Sequence, residues 1–305
     1  NRDGEIDGLD GMRQIAQNPF RFWYNSDVVK GDCLGQVSDS SPNADDLKVN
    51  GKFDLVNLFP LQVDVTRFQE AWGRAATFRL RARTQDLRFC VLGEDISAHV
   101  AQMQTRTVQT VGGECLERAS LTPLDYAGTN LVDVLPSGAS SAVLAFEAKE
   151  QVHEWESPEL VVSLDDREVF TYRIPLSITS VDEMYQFGDL RAAARDPSHV
   201  PSVPTLAWEQ ATERKDLDVF FTHGFNVNHT NAWEWGRHMF KRLWHAGSNA
   251  RFHMLTWEGD YSWLPGDLFN GLHYQHDVWY ALRTGGAFKR YVEAAQPDAN
   301  KRILM

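Results

Sequence analysis

The segment Asp218-Val-Phe-Phe-Thr-His-Gly-Phe-Asn-Val-Asn228 constrains the fold more than any other stretch of the chain. Its apolar run, Val219 to Phe221, breaks into Thr222-His223-Gly224-Phe225-Asn226, and helical spacing follows. A short apolar run ended by a glycine turn reads as a buried strand of a parallel sheet. The following helix is predicted to be capped by Thr230 or Asn231 and to run to about His245, with Gly247 closing it. Ala232, Trp235, Met239, Phe240 and Leu243 are its expected apolar face. Residues 250–256 read as a second strand. A long helical pattern then carries Val278, Ala281, Leu282, Phe288, Val292 and Ala295, until Pro297-Asp298 stops it. Gly285-Gly286 inside that pattern calls for close packing on the sheet or a kink. Residues 301–305 begin a third strand. Strand–helix–strand–helix–strand with short connections implies right-handed crossovers and a parallel sheet. His223-Gly224 then falls at a strand's carboxyl end, where open α/β sheets bind ligands.

With that element order, His223-Gly224-Phe225-Asn226 resembles the α/β-hydrolase superfamily, whose HG-type loop after the third strand lends a backbone N–H to the oxyanion hole. The resemblance covers roughly residues 216–305 and implies the first half of that fold. It makes His223, Gly224 and Phe225 the oxyanion-loop candidates, with the N–H of Phe225 or of Gly224 as donor. Cleaving an ester or amide builds negative charge on a carbonyl oxygen, and preorganised N–H donors must meet it. His223 is expected to shape the loop rather than act as a base. The resemblance also implies a nucleophilic serine in the turn after the strand at 301–305, then an acid and a histidine. That serine is expected beyond residue 305, so these 305 residues are expected to be inactive by themselves.

Upstream, residues 75–178 read as an antiparallel, β-sandwich-like domain. Thr77 to Arg83 alternates strictly, with Arg79, Arg81 and Arg83 on a solvated face. Residues 87–92, 142–148 and 160–164 follow as strands, and Asp165-Asp166 turns a hairpin into 169–178, where Phe170, Tyr172, Ile174, Leu176 and Ile178 share a face. Residues 96–104 form a helical pattern and 181–195 a short helix. Gly138-Ala-Ser140-Ser-Ala142 approximates a nucleophile elbow, but Pro136 precedes it and a strand pattern follows, so it reads as a hairpin turn. Three prolines between Pro197 and Pro204 suggest a stiff linker. The expected organisation is an acidic N-terminal segment (1–74), a β domain (75–195), a linker (196–215) and a partial α/β domain (216–305).

The N-terminal segment spaces Asp3, Glu5 and Asp7 at alternate positions before Gly8 and Asp10. Calcium loops need oxygen ligands at such spacing and a glycine turn. Asp3, Glu5, Asp7 and Asp10 are therefore calcium-ligand candidates, although Glu5 departs from the usual Asp or Asn and Gln14 stands where a bidentate Glu would close the loop. The alternative is a solvated acidic terminus in which Asp7 or Asp10 caps a helix over residues 12–17. Asn25, Asp27 and Asp32 lie in a polar loop that could hold a second cation. His273 and His276 lack a metal-binding pattern, and His229, His238, His245 and His253 have no partner in the sequence. Trp257, Trp263 and Trp279 could line a cleft. Cys33, Cys90 and Cys115 form no CxxC pair, and a Cys90–Cys115 disulfide stays open beside buried free thiols.

The formal charge of -12, without a basic patch, argues against nucleic acid or an anionic membrane as partner. No run approaches the ~18 apolar residues of a spanning helix. With these features, what the resemblance implies is part of a bacterial serine hydrolase of esterase or lipase type, expected to be secreted, at the cell surface or periplasmic. The rival description is a non-enzymatic, calcium-binding surface or adhesion module with an α/β scaffold.

Overall fold

A computed structural model describes residues 19–24, 56–72, 76–81, 83–84, 86–93, 122–123, 132–133, 135, 138–204, 217–248, 250–260, 270–295 and 301–304. The calcium candidates Asp3, Glu5, Asp7 and Asp10, the loop residues Asn25, Asp27 and Asp32, Cys33, Cys115, Trp263 and the pattern at 96–104 lie outside them. The chain is mixed α/β and divides into two compact units, Asn1–Ser180 and Val181–Met305. Among the described residues, no helix is long and apolar enough to cross a membrane.

The first unit contains β1 (Phe20–Trp23), β2 (Phe59–Asp64), α1 (Thr66–Trp72), β3 (Ala76–Arg81), β4 (Leu87–Gly93), β5 (Thr122–Pro123), β6 (Val132–Asp133), β7 (Ser141–Ala148), β8 (Glu159–Leu164), β9 (Arg167–Arg173) and β10 (Leu176–Thr179). Two small antiparallel sheets have the orders β2-β7-β4-β5 and β6-β3-β8-β9, and β1 pairs in parallel with β10. Because β2 pairs along its length with β7, residues 59–64 belong to this sheet system and not to a separate N-terminal segment. Asp165 and Asp166 both take positive φ, 49° and 59°. That is the backbone a two-residue hairpin needs to match strand twist. The expected strand over 169–178 breaks in two, since Pro175 lacks an N–H and its carbonyl instead accepts from Phe20 N at 2.8 Å. The arginine face is ion-paired rather than simply solvated. Arg81, Arg83 and Arg173 converge on buried Glu159, and Arg81 also pairs with Glu168. Gly138, with φ +84°, sits in the turn that feeds β7, so Ser140 opens a strand and no helix.

The second unit is built on β11 (Gln186–Asp189), β12 (Leu217–Thr222), α2 (His229–His245), β13 (Arg251–Thr256), α3 (Asn270–Ala295) and β14 (Lys301–Leu304). All four strands are parallel, in the order β11-β13-β12-β14. Residues 181–195 are therefore not one helix. They form short 3-10 turns at Val181–Glu183 and Arg191–Ala194 on either side of an edge strand. The unit boundary falls at residue 180, ahead of the proline-rich segment, and that segment is tied down. Arg290 Nη2 donates to the carbonyls of Pro197 (2.6 Å) and His199 (2.8 Å), and Arg283 Nη2 to that of Arg195 (2.9 Å).

Successive residues of a strand face opposite sides, and β13 uses both. Met254 meets α2 at Gly236, where an added Cβ would lie 2.7 Å from Met254 Cγ. Phe252 packs on Phe240 of the same helix. Leu255 faces the other way, into a core with Leu190, Phe220, Tyr291 and Val292. One helix thus covers each face, as right-handed crossovers in opposite directions along a sheet require. Helix α2 is capped by Asn228, not by Thr230 or Asn231; the Asn228 side chain accepts from Asn231 N at 2.8 Å. It ends in a Schellman motif, with Gly247 N donating to Trp244 O and Ser248 N to Leu243 O. Its buried face is Ala232, Gly236, Arg237, Phe240 and Lys241, while Trp235 is exposed. Helix α3 meets expectation in its second half, where Phe288, Val292 and Ala295 pack on the core, and departs from it in the first. Asp277, Thr284, Ala287, Tyr291 and Val292 face inward, whereas Tyr274, Val278, Trp279 and Leu282 face water. Gly285 and Gly286 are exposed, and no close approach to the sheet explains them.

Candidate functional site

In this sheet the chain goes from β12 to β13 on one side and returns past β12 to β14 on the other. Such a reversal leaves a crevice beyond the carboxyl ends of the two strands where the direction switches, here β12 and β14. Residues 223–228 emerge from β12 at that point. The sequence candidates His223, Gly224 and Phe225 thus lie at the carboxyl end of the sheet, the end at which open α/β sheets in general bind ligands.

His223 is 3% exposed and has a partner at each ring nitrogen. A backbone N–H can only donate, so Trp257 N, 3.1 Å from Nε2, makes that nitrogen an acceptor. A carbonyl can only accept, so Nδ1, 2.8 Å from Gly224 O, must carry the proton. Both bonds specify the same neutral tautomer. Thr256 Oγ1 lies 3.0 Å from Nε2, and the Trp257 ring stacks on the imidazole at 5.6 Å with 8° between planes. Burial lowers the His223 pKa below its ordinary value, the bond to Gly224 O and the nearby Asp260 opposing that shift. His223 therefore organises the loop, and its nitrogens are not presented to a substrate.

The bond to Gly224 O orients the next amide. A trans peptide is planar, with its C=O and N–H pointing in opposite directions. No cis bond is present among the described residues. With the Gly224 carbonyl drawn to the imidazole, the Phe225 N–H points away from it. Among the described residues neither Gly224 N nor Phe225 N has a hydrogen-bond partner, while the next amide, Asn226 N, donates to Gly259 O at 2.7 Å. Asn226 takes φ +61°, which sharpens the bend. The Phe225 side chain is half exposed and its ring meets Tyr274 edge-on at 5.4 Å.

The loop after β13 packs against residues 223–226 from the side of β12 away from β14. Trp257 Nε1 donates to His223 O at 2.8 Å. Arg191 donates to Trp257 O at 3.1 Å and pairs with Asp260, and Arg195 pairs with Glu258 at 2.7 Å. Glu258 and Asp260 thus fix this loop. Gly259 is required by its neighbour: a Cβ there would sit 2.8 Å and 2.9 Å from Trp257 Cη2 and Cζ2. We expect Gly259→Ala to cost about 1–3 kcal/mol by forcing the indole off the imidazole. Chemical denaturation should register that loss, and hydrogen exchange of residues 223–226 should quicken; an unchanged midpoint would contradict it.

Of the other sequence candidates, Trp257 joins the site, whereas Trp279 is exposed on α3 and His276 is exposed beside Tyr280. Among the described residues, no group of three or more His, Cys, Asp or Glu side chains could hold a metal ion. Sequence reading missed Thr256 and Arg191. Thr256 ends a strand recognised as such, and only the pairing of β12 beside β13 brings it to His223. No protein-family model matches the chain, and no curated protein is significantly similar to it.

Proposed function

We propose that the second unit is the first half of an α/β-hydrolase-like domain, and that the Phe225 amide is an oxyanion-hole donor for cleavage of a carboxylic ester. One observation carries this reading: an N–H without a hydrogen-bond partner among the described residues, turned away from a buried imidazole, at the switch point between β12 and β14. The parallel run of β14 beside β12 supports it, because a serine in the turn after Leu304 would then face the same crevice. His223 works as scaffold, and the base and acid belong to later elements. On the same footing, the two antiparallel sheets of the first unit are read as a β-sandwich-like supporting module.

A fluorophosphonate probe tests this. The 305-residue chain is expected to remain unlabelled. A chain prolonged past Met305 through a small-x-Ser-x-Gly turn is expected to be labelled at that serine. Labelling of a serine within residues 1–305, or a coding sequence without such a turn after Leu304, would overturn the reading.

A further inference from the structure

We propose that His223 is a proton-operated latch. While neutral, its bare Nε2 holds the Trp257 amide and locks loops 223–226 and 257–260 together. On protonation it expels that amide and shifts the bend that carries the Phe225 N–H, the Nδ1–H bond to Gly224 O staying in place. The geometry carries the idea. Two adjacent loops, 223–226 and 257–260, are joined at Trp257 N to His223 Nε2, at Trp257 Nε1 to His223 O, and at Asn226 N to Gly259 O. The first bond requires a lone pair on Nε2. A proton placed there would set two donors against each other 3.1 Å apart. Thr256 Oγ1 can turn and accept from the new N–H, since a hydroxyl both donates and accepts. The Trp257 amide cannot, so it must move. Trp257 O is also held by Gly259 N at 2.9 Å, and Gly259 O holds Asn226 N, so the displacement passes to the far side of the bend. The Gly224–Phe225 peptide lies between these two anchored points.

Among the described residues, the charged groups facing the imidazole are Arg191, from the turn after β11, and Asp260, from the loop after β13. They pair with each other, and Arg191 disfavours protonation of His223 while Asp260 favours it. Burial is the larger influence and lowers the pKa. The unfolded chain therefore takes up the proton first. The stabilisation from neutral His223 is complete above its unfolded value near ~6.5 and is lost as pH falls from there through the lower folded value.

As regulation of an oxyanion site this rests on the hydrolase-like reading, but the latch can be tested without any ester. Nitrogen-resolved NMR of the full chain should show His223 protonated at Nδ1 and bare at Nε2 at neutral pH. On acidification the Gly224, Phe225 and Trp257 amide signals should move together, with the His223 midpoint and below that of an ordinary histidine. His223→Asn retains a donor for Gly224 O and removes the titration, so in that variant the three amide signals should stay fixed over the same range. Should those signals move in His223→Asn with the same midpoint, or should wild-type His223 carry its proton on Nε2 at neutral pH, the latch is wrong. A working latch with no serine labelling in the prolonged chain would remove the hydrolase reading and leave the latch standing.

Discussion

Replacing Asp218 by alanine is expected to cost the second unit about 3–5 kcal/mol, the usual penalty for leaving a buried charge without its partner. The Asp218 side chain is fully buried at the start of β12, with Arg251 and His253 on the neighbouring strand β13 as partners. Arg251 donates from Nε at 2.8 Å and His253 from Nε2 at 3.2 Å, both to the same carboxylate oxygen. His253 is also buried, stacks on Phe220 at 4.3 Å, and lies 3.5 Å from the Tyr291 hydroxyl at Nδ1. The alanine variant would strand a guanidinium that is itself only 13% exposed. Urea unfolding should show the loss in the transition of this unit. Adding Arg251→Met should restore part of it, because an apolar replacement of a whole buried pair is far cheaper than half a pair. A loss under about 1 kcal/mol would mean that water reaches the site and serves as partner.

Trp23→Ala should cost the first unit a similar amount, about 3–5 kcal/mol for deletion of a large core aromatic. Two-stranded sheets are marginal alone, so the β1–β10 pair depends on what its side chains bury. Trp23 is fully buried, meets Phe59 edge-on at 5.8 Å, and donates from Nε1 to Asn57 Oδ1 at 3.2 Å. Phe22 adds a stacked contact with the same Phe59 at 4.3 Å. Trp23→Phe should recover most of the apolar burial yet remove the Nε1–H bond to Asn57 Oδ1, a cost of about 1 kcal/mol. Denaturation midpoints of the two variants separate packing from hydrogen bonding; equal losses would assign the effect to the hydrogen bond, and a loss confined to Trp23→Ala would assign it to packing alone.

Much of the second unit was legible because its signals are local. A short apolar run, a glycine turn and a capped amphipathic helix each declare themselves within a dozen residues, so β12, α2 and β13 fall close to where the spacing puts them. β11 escaped because Gln186-Phe-Gly-Asp189 is too brief to show a period, and only its pairing with β13 makes it a strand. The first half of α3 was misjudged for a related reason, whereas Phe288, Val292 and Ala295 do pack on the core. Counting apolar residues favoured Val278 and Leu282, but the sheet takes Tyr291 and Ala287 together with the polar Asp277 and Thr284. At the site, His-Gly drew attention through the sequence alone. The partners that define the role of His223, Thr256 and Trp257, lie more than thirty residues away and become visible only through strand order. His253 likewise had no sequence partner and proves to be bound to Asp218.

Since α2 and α3 lie on opposite sides of one sheet, neither crossover can pass over the mouth between β12 and β14. Where the routing reverses is set by strand order and by no single side chain, so a substitution that leaves the four strands paired leaves the reversal where it is.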